Sequence, residues 1–245
     1  MLTEIKLAGS ILFAAVALSA CGGGGGGTPT PVADITAPIA SPGTVATTFP
    51  LQSAYRSLIV RGQQTYFNIS GTCGGTASTS ASAPTSSTYE GSPSLSTTVA
   101  TTANYTGCNL QGNFDPFVIY YDSNYSPIGS MAQGNFFGKY FFPAPQIPSS
   151  VKVGDSGPLG NETLFTDNTK TVFTGLVGRR FVIESDGVST TTAIANLIAE
   201  RYNTTNQLVS TTQNRYRISS NGSLSPVSID VLSTTGNIHL TYTAV

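Results

Sequence analysis

The 245-residue chain has few charged residues, a single histidine and no tryptophan, and each scarcity removes a class of function. Charged residues make up 9% of the sequence, whereas about 25% is usual in soluble proteins. Nucleic-acid binders mass lysine and arginine against phosphates, but here these residues are scattered apart from the adjacent Arg179 and Arg180. The sequence therefore predicts no nucleic-acid partner.

The sequence also has few residues that could bind a metal or a cofactor. The chain has one histidine, His239, and three cysteines without a CxxC spacing, so the usual zinc-ligand sets are missing. Four oxygen ligands could bind Ca²⁺ if loops brought them together, but they lack the register of a calcium loop. These are Asp115, Asp122, Asn124 and Glu162. We predict no metal and no cofactor.

Serine and threonine are abundant instead, at roughly a quarter of the chain, above average usage. Threonine favours strands and serine favours turns. Turn signals such as DNTK, SDG, NTTN, SNGS and TTGN separate apolar runs in the C-terminal part, which is typical of an antiparallel meander. The predicted fold class is all-β, mainly antiparallel, as a sandwich or a meander.

Residues 1–20 have the pattern of an export signal. Lys6 precedes an apolar stretch from Leu7 to Leu18, which is shorter than the about 20 residues that span a bilayer as a helix. The stretch ends in Leu18, Ser19, Ala20 and Cys21. An ordinary secretory signal that happens to contain a cysteine is the alternative interpretation.

Those four residues resemble the lipobox of bacterial lipoproteins. The resemblance implies cleavage before Cys21, a diacylglyceryl thioether on its sulfur and an acyl chain such as palmitate on its new amine. Gly22 follows, and since aspartate there is the usual inner-membrane retention signal of such families, the resemblance implies the outer membrane, facing the periplasm or the surface. Two or three acyl chains anchor a protein stably.

Residues 21–48 are predicted to be a flexible tether, rich in glycine and proline. About 27 such residues have a root-mean-square reach on the order of 30 Å. Six consecutive glycines, Gly22 to Gly27, also suggest a phosphate-binding loop, but no strand precedes them and no GK[ST] follows, so the context excludes that interpretation.

With Cys21 lipidated, Cys73 and Cys108 remain as an even pair in a compartment where disulfides persist. We predict that they bond to each other, closing a loop of about 36 residues worth roughly 3.5 to 4 kcal/mol in the chain-entropy model. Two buried free thiols are the alternative.

Two β-rich halves, 49–145 and 146–245, are predicted on either side of the proline-rich PAPQIPSS, as two domains or as one. Helical spacing of apolar residues predicts one short helix in Pro50 to Gly62. The run TTTAIANLIAERYN fits both helix and strand, and the flanking turns favour strand. The lipobox, the GTC and TGC cysteines, VKVGDSGPLG and RYRISSNGSLSPVSIDV together resemble β-rich lipoproteins of Gram-negative bacteria, which implies location and fold class only.

Candidate catalytic residues have weak support. GDSGP around Ser156 resembles the GDSGG of chymotrypsin-like proteases, but the second glycine is missing and His239 follows the serine rather than preceding it,. Glu184 and Asp186 share one face of a strand, as a glycosidase pair might, yet ESDG is more simply a strand end and a turn. We predict no enzyme and no catalytic residue.

Two further groups are candidate binding surfaces. The aromatic run is Phe136, Phe137, Tyr140, Phe141 and Phe142; strand alternation would split it between two faces, and core packing is the default. Three arginines, Arg201, Arg215 and Arg217, are candidates for an anion or lipid-headgroup patch. The predicted function is a membrane-anchored envelope protein with a non-enzymatic binding or structural role and an envelope protein or lipid as partner; a serine or carboxylate hydrolase and a periplasmic lipid carrier are the alternatives.

Overall fold

The computed structural model describes residues 47–132, 136–141 and 147–245. Cys21, the lipobox and nearly all of the predicted tether lie outside these residues, as does Phe142. Within them the chain forms one helix and thirteen strands, whose bounds are as follows. They are α1 (Leu51–Arg61), β1 (Gln63–Gly71), β2 (Gly74–Ala81), β3 (Thr85–Tyr89), β4 (Ser92–Thr106), β5 (Phe117–Tyr121), β6 (Pro127–Ala132), β7 (Phe136–Tyr140), β8 (Ser156–Phe165), β9 (Phe173–Ser185), β10 (Thr192–Tyr202), β11 (Leu208–Ser219), β12 (Leu224–Ser233) and β13 (Ile238–Ala244).

Twelve antiparallel strands close into a barrel. Neighbours in sequence pair with each other from β4 to β13, β13 pairs with β1, β1 with β2, and β2 with β4. Strand β3 lies outside this ring. It pairs with the first part of β4, on the same side of β4 as β2, which pairs with the second part. The all-β prediction is confirmed, and strands from both predicted halves belong to this one barrel.

Helix α1 closes one end of the barrel interior. Its five buried residues occupy the apolar positions of the predicted helical spacing, and Gly62 follows its last residue with a positive φ of 62°. They pack in one apolar cluster with inward-facing residues of strands as far apart as β5 and β11, among them Ile119 and Tyr216. The helix therefore fills the end of the barrel at which β1 begins, and the helix prediction is confirmed. Among the described residues no helix is long and apolar enough to cross a membrane.

A second apolar cluster lies among β1, β2, β4, β12 and β13 and contains the disulfide. Cys73, in the β1–β2 turn, bonds to Cys108, just after β4, and confirms the predicted pairing. Cys73 is 2% exposed and packs with Phe67 and Leu240. The bond fastens the far ends of these strands to one another.

The ambiguous TTTAIANLIAERYN segment is strand β10, as predicted. It pairs with β9 and β11 along its length, with Ala195 and Leu197 pointing inward and Asn196 and Ile198 pointing outward. Both faces are buried from Ala193 to Ala199, so the sequence lacks the alternation that would have marked a strand.

Candidate functional site

A cluster of polar side chains lies inside the barrel between β6 and β9. It consists of Ser130, Tyr140, Glu162 and Arg179, each at most 4% exposed. The strand register brings them together: Tyr140 pairs with Glu162, and Arg179 pairs with Gly160 across a bulge of β8. Since buried charges are costly unless paired, these four residues are the first place to seek a function.

Hydrogen bonds connect all four side chains. Arg179 donates from Nη2 to Glu162 Oε2 and from Nε to the hydroxyl of Tyr140, the latter over 2.9 Å. Its Cζ lies 5.4 Å from the centroid of the Tyr140 ring. Ser130 donates from Oγ to the other carboxylate oxygen of Glu162. Both oxygens of Glu162 are therefore engaged.

Gly138 makes the space for this carboxylate. It pairs with Ser130 on β6 and faces inward, and a Cβ at this position would overlap Glu162 Oε1 and Ser130 Oγ. Any larger residue would push the carboxylate away from Arg179.

Burial sets the protonation of the surrounding phenols. It raises the pKa of Tyr140 far above its usual value, despite the opposing effect of Arg179, and it raises the pKa of Tyr121 to about 12. For Arg179 burial alone would lower the pKa, but Tyr140 and Glu162 more than offset this and the net shift is upward. At neutral pH the cluster is thus a charged guanidinium among neutral phenols. Both oxygens of Glu162 are occupied by Arg179 and Ser130, so the arrangement favours a structural role.

The predicted calcium ligands lie in different places. Glu162 is inside the barrel, whereas Asp122 lies in the β5–β6 turn and accepts hydrogen bonds from the backbone N–H groups of Asn124 and Ser126. Asp115 lies in the loop before β5. No group of three or more metal-ligating acidic, histidine or cysteine side chains occurs in the described parts of the chain.

Ser156 and His239 are at opposite ends of the barrel. Both are exposed; Ser156 begins β8 and is paired with Val182, while His239 is the second residue of β13 and is paired with Leu232. Neighbouring strands run in opposite directions, so β8 and β13 begin at opposite ends of the ring. The structure does not bring the serine and the histidine together.

The candidate carboxylates and two of the candidate arginines bind each other on the outer wall. Arg217 donates to Asp186 Oδ2 over 2.6 Å, and Arg215 contacts Asp230 as well as Glu184, the latter over 3.4 Å. As predicted, Arg215 and Arg217 share a face. The charges on this part of the wall therefore largely compensate one another.

The predicted patch of three arginines is wrong in one member. Arg201 pairs with Ser210 and Val177 at inward-facing positions, so it belongs to the opposite face of the sheet from Arg215. The assignment of both segments as strands is correct. Which residues of β10 share a face with Arg215 of β11 depends on the register between the two strands, which the sequence does not reveal.

Alternation divides the aromatic run, as predicted. Phe136 and Tyr140 are at inward-facing positions of β7, and Phe137 faces outward. Phe141 is 54% exposed. This segment contributes to the core on one side, and on the other side Phe137 lies opposite Phe165 of β8, which lies opposite Phe173 of β9.

The sequence does not predict the pair of Arg179 and Glu162. The two residues form no contiguous motif, and the sequence suggests Glu162 only as a calcium ligand. One signal was present: Arg179 has the parity of Val177, Phe181 and Ile183, so the alternation of TVFTGLVGRRFVIE places an arginine on the apolar face.

No family model, no curated protein and no solved structure matches this chain. The function is therefore inferred from the chain's own residues.

Proposed function

We propose that the protein is a lipid-anchored scaffold of the bacterial cell envelope, with a binding or structural role and no catalytic one. The observation that carries this proposal is that buried side chains and helix α1 occupy the barrel interior. Helix α1 packs against strands on both sides of the ring, and the buried charges of Glu162 and Arg179 are paired with each other. A closed, packed barrel presents its outer wall and its end loops to other molecules.

Attachment to a membrane is assigned to Cys21. The lipobox resemblance supports it, and the disulfide fits an exported protein because disulfides persist in oxidising compartments,. The described chain begins at Thr47, close to α1, so the tether reaches the barrel at its helix-filled end.

The outer wall formed by β1, β2 and β4 favours contact with water, whereas Phe137, Phe165 and Phe173 pair across the outer face of β7, β8 and β9. On β1, β2 and β4 the exposed outward-facing positions hold mostly small polar side chains, such as Asn68, Thr76 and Asn104 in one row, with Tyr66 as an exposed aromatic exception. Lipid-facing sheet walls are apolar bands, and these amides and hydroxyls would be costly there. The polar side of the wall therefore supports a barrel that stands beside the bilayer on its tether.

Fractionation of the full chain expressed in a Gram-negative host tests the anchor. We expect the wild type and the matched control Ser19→Ala, which keeps a small residue before the cleavage site, to incorporate labelled acyl chains and to sediment with outer membranes. Cys21→Ala should remain unlabelled and appear in the soluble fraction. If Cys21→Ala still sediments with membranes, another element holds the protein.

Assays of esters, peptides and glycosides test the absence of catalysis. We expect no turnover above that of the Ser156→Ala variant or of the Glu184→Gln variant. A rate that is lost in either variant would favour the hydrolase alternative. Organic extraction of purified protein tests the carrier alternative, and a lipid recovered in equimolar amount would contradict the filled interior.

A further inference from the structure

Strand β3 has a hydrogen-bonded neighbour on one side only. Every strand of the ring is paired on both sides, whereas β3 pairs with β4 alone in the part of the chain that the structure describes. Strand β1 begins at Gln63, which pairs with Ala81 at the end of β2. Strand β1 therefore does not extend beside β3. The side of β3 away from β4 is thus an open strand edge.

The backbone direction of β4 follows from two hydrogen bonds. The N–H of Ser82, between β2 and β3, donates to the oxygen of Thr98, while the N–H of Ala103 donates the other way, to Gly112 in the loop before β5. Backbone groups alternate in direction along a strand. Even-numbered residues of β4 therefore point toward β2 and β3, and odd-numbered residues point toward β5.

This alternation identifies the free groups of β3. Ser87 lies opposite Ser94, an even-numbered residue, and so shares a hydrogen-bonded pair with it,. Ser86 and Thr88 then direct their N–H and C=O groups to the open side. Pro93 lies opposite Thr88, which agrees with this assignment because a proline has no N–H to offer in a hydrogen-bonded pair.

The open edge is exposed and held in place. Ser86 and Thr88 are both exposed. The hairpin tip beside them is fastened to the barrel, since Glu90 forms ion pairs with Lys139 over 2.8 Å and with Lys170 over 3.0 Å. Two N–H and two C=O groups are therefore presented in extended geometry.

This edge lacks two of the usual protections against pairing. Natural edge strands are very short or carry charged residues, prolines or bulges that prevent addition of another strand. The five residues of β3, TSSTY, include no charge and no proline. They form a short strand whose free backbone groups can pair with another strand.

We propose that β3 pairs with β3 of a second copy of this chain, antiparallel, about a two-fold axis at Ser87. Ser86 of each copy then lies opposite Thr88 of the other, and the two pairs exchange four backbone hydrogen bonds. Ser87 lies opposite Ser87 of the second copy in the closer, non-hydrogen-bonded type of pair. The contact is isologous, as in most homodimers.

A second copy fits this edge because an uncharged strand meets its own copy without repulsion. The tether sequence fits it poorly, since its prolines cannot donate. Anchoring on one membrane, as in the proposed function, would raise the effective concentration of the short contact. The pairing itself needs no anchor, so its test and the fractionation of Cys21→Ala can fail independently.

Disulfide trapping of the Cys21→Ala chain in concentrated solution tests the pairing without the anchor. Ser87→Cys should give dimers under mild oxidation, because the two Cα atoms of a self-opposed pair lie within disulfide reach. Thr85→Cys is the matched control, since residue 85 would lie opposite Tyr89 of the second copy and not opposite itself. Equal yields of dimer from the two variants would overturn the proposal.

A proline at the open edge provides a second test. Thr88→Pro removes a free N–H while leaving the bonds between β3 and β4, so it should abolish trapping in the Ser87→Cys background; Thr88→Val keeps the N–H and should preserve it. In the Cys21→Ala chain, amide exchange at Ser86 and Thr88 should slow as the protein concentration rises. Trapping that survives Thr88→Pro, or exchange that does not respond to concentration, would contradict strand pairing.

Discussion

The hydroxyl of Tyr89 donates a hydrogen bond to the backbone oxygen of Gly138 over 2.8 Å. This bond joins the tip of the β3–β4 hairpin to the outer side of β7, and the ring of Tyr89 also packs at a tilt against Tyr120 with centroids 5.0 Å apart. On the other side of the same β7 residue lies the buried carboxylate of Glu162. Gly138 is thus shared by the hairpin outside and the ion pair inside.

Gly129→Ala should release the hairpin tip. A Cβ at Gly129 would overlap the ring of Tyr89, which is held by its hydrogen bond and cannot move aside without losing it. We expect faster amide exchange across residues 85–92 with the rest of the barrel unchanged. Gly178→Ala is the control, because its Cβ would meet only Asn161 Oδ1 at an ordinary 3.7 Å; equal exchange in the two variants would contradict the contact.

Arg179→Met should cost about 3 to 5 kcal/mol in the free energy of unfolding, because it leaves the carboxylate of Glu162 buried without its cation,. The double variant Arg179→Met with Glu162→Gln should recover part of that loss. Arg180→Met is the adjacent control: its pair with Glu200 is partly exposed at 3.4 Å and should be worth about 1 kcal/mol or less. Urea unfolding of the four proteins measures these differences, and equal costs for the two arginines would be inconsistent with a buried pair.

Alkaline pH should unfold the barrel cooperatively. Burial raises the pKa of Tyr121 to about 12 and that of Tyr140 still higher, above the about 10 of an unfolded chain. The folded state holds these protons more tightly, so the stability they contribute is full below pH about 10 and falls as the pH rises toward the folded values. Tyrosinate absorbance and circular dichroism should change together; reversible ionisation of every tyrosine in a folded barrel would contradict burial.

Replacing both Cys73 and Cys108 by serine should lower the free energy of unfolding by roughly 3.5 to 4 kcal/mol, because the bond closes a long loop in the unfolded chain,. Unfolding of the oxidised wild type, the reduced wild type and the double variant provides the measurement. The reduced wild type should match the double variant, and a reduced protein as stable as the oxidised one would show that the constraint contributes nothing.

Local signals predicted the helix and the disulfide. The spacing of Leu51, Tyr55 and Leu58 and the stop at Gly62 lie within one short segment, and the pairing of two cysteines follows from their number. In contrast, the closed barrel was not distinguished from a sandwich or a meander, because the same alternation of residues serves all three. The closure depends on β1 meeting β13 and β2 meeting β4, and nothing in a single strand specifies those distant partners.

The candidate site was harder to predict for the same reason. Arg179 and Glu162 belong to neighbouring strands, but a bulge between Pro158 and Gly160 shifts the register of β8 against β9. Without that register, an inward-facing arginine has no identifiable partner. The outer pair of Arg217 with Asp186 similarly depends on the pairing of β10 with β9 and β11.

Closure through β1 and β13 also constrains the order in which the chain folds. Phe67 pairs with Ala244, so the first and last strands of the ring meet only when nearly the whole described chain has been synthesised. Hairpins such as β3–β4 can form early because their residues are close in sequence. Ring closure, in contrast, carries the entropic cost of closing a very long loop. Until that step, β1 and β13 are open edges on a partly folded sheet, and the incomplete chain is exposed to aggregation through them.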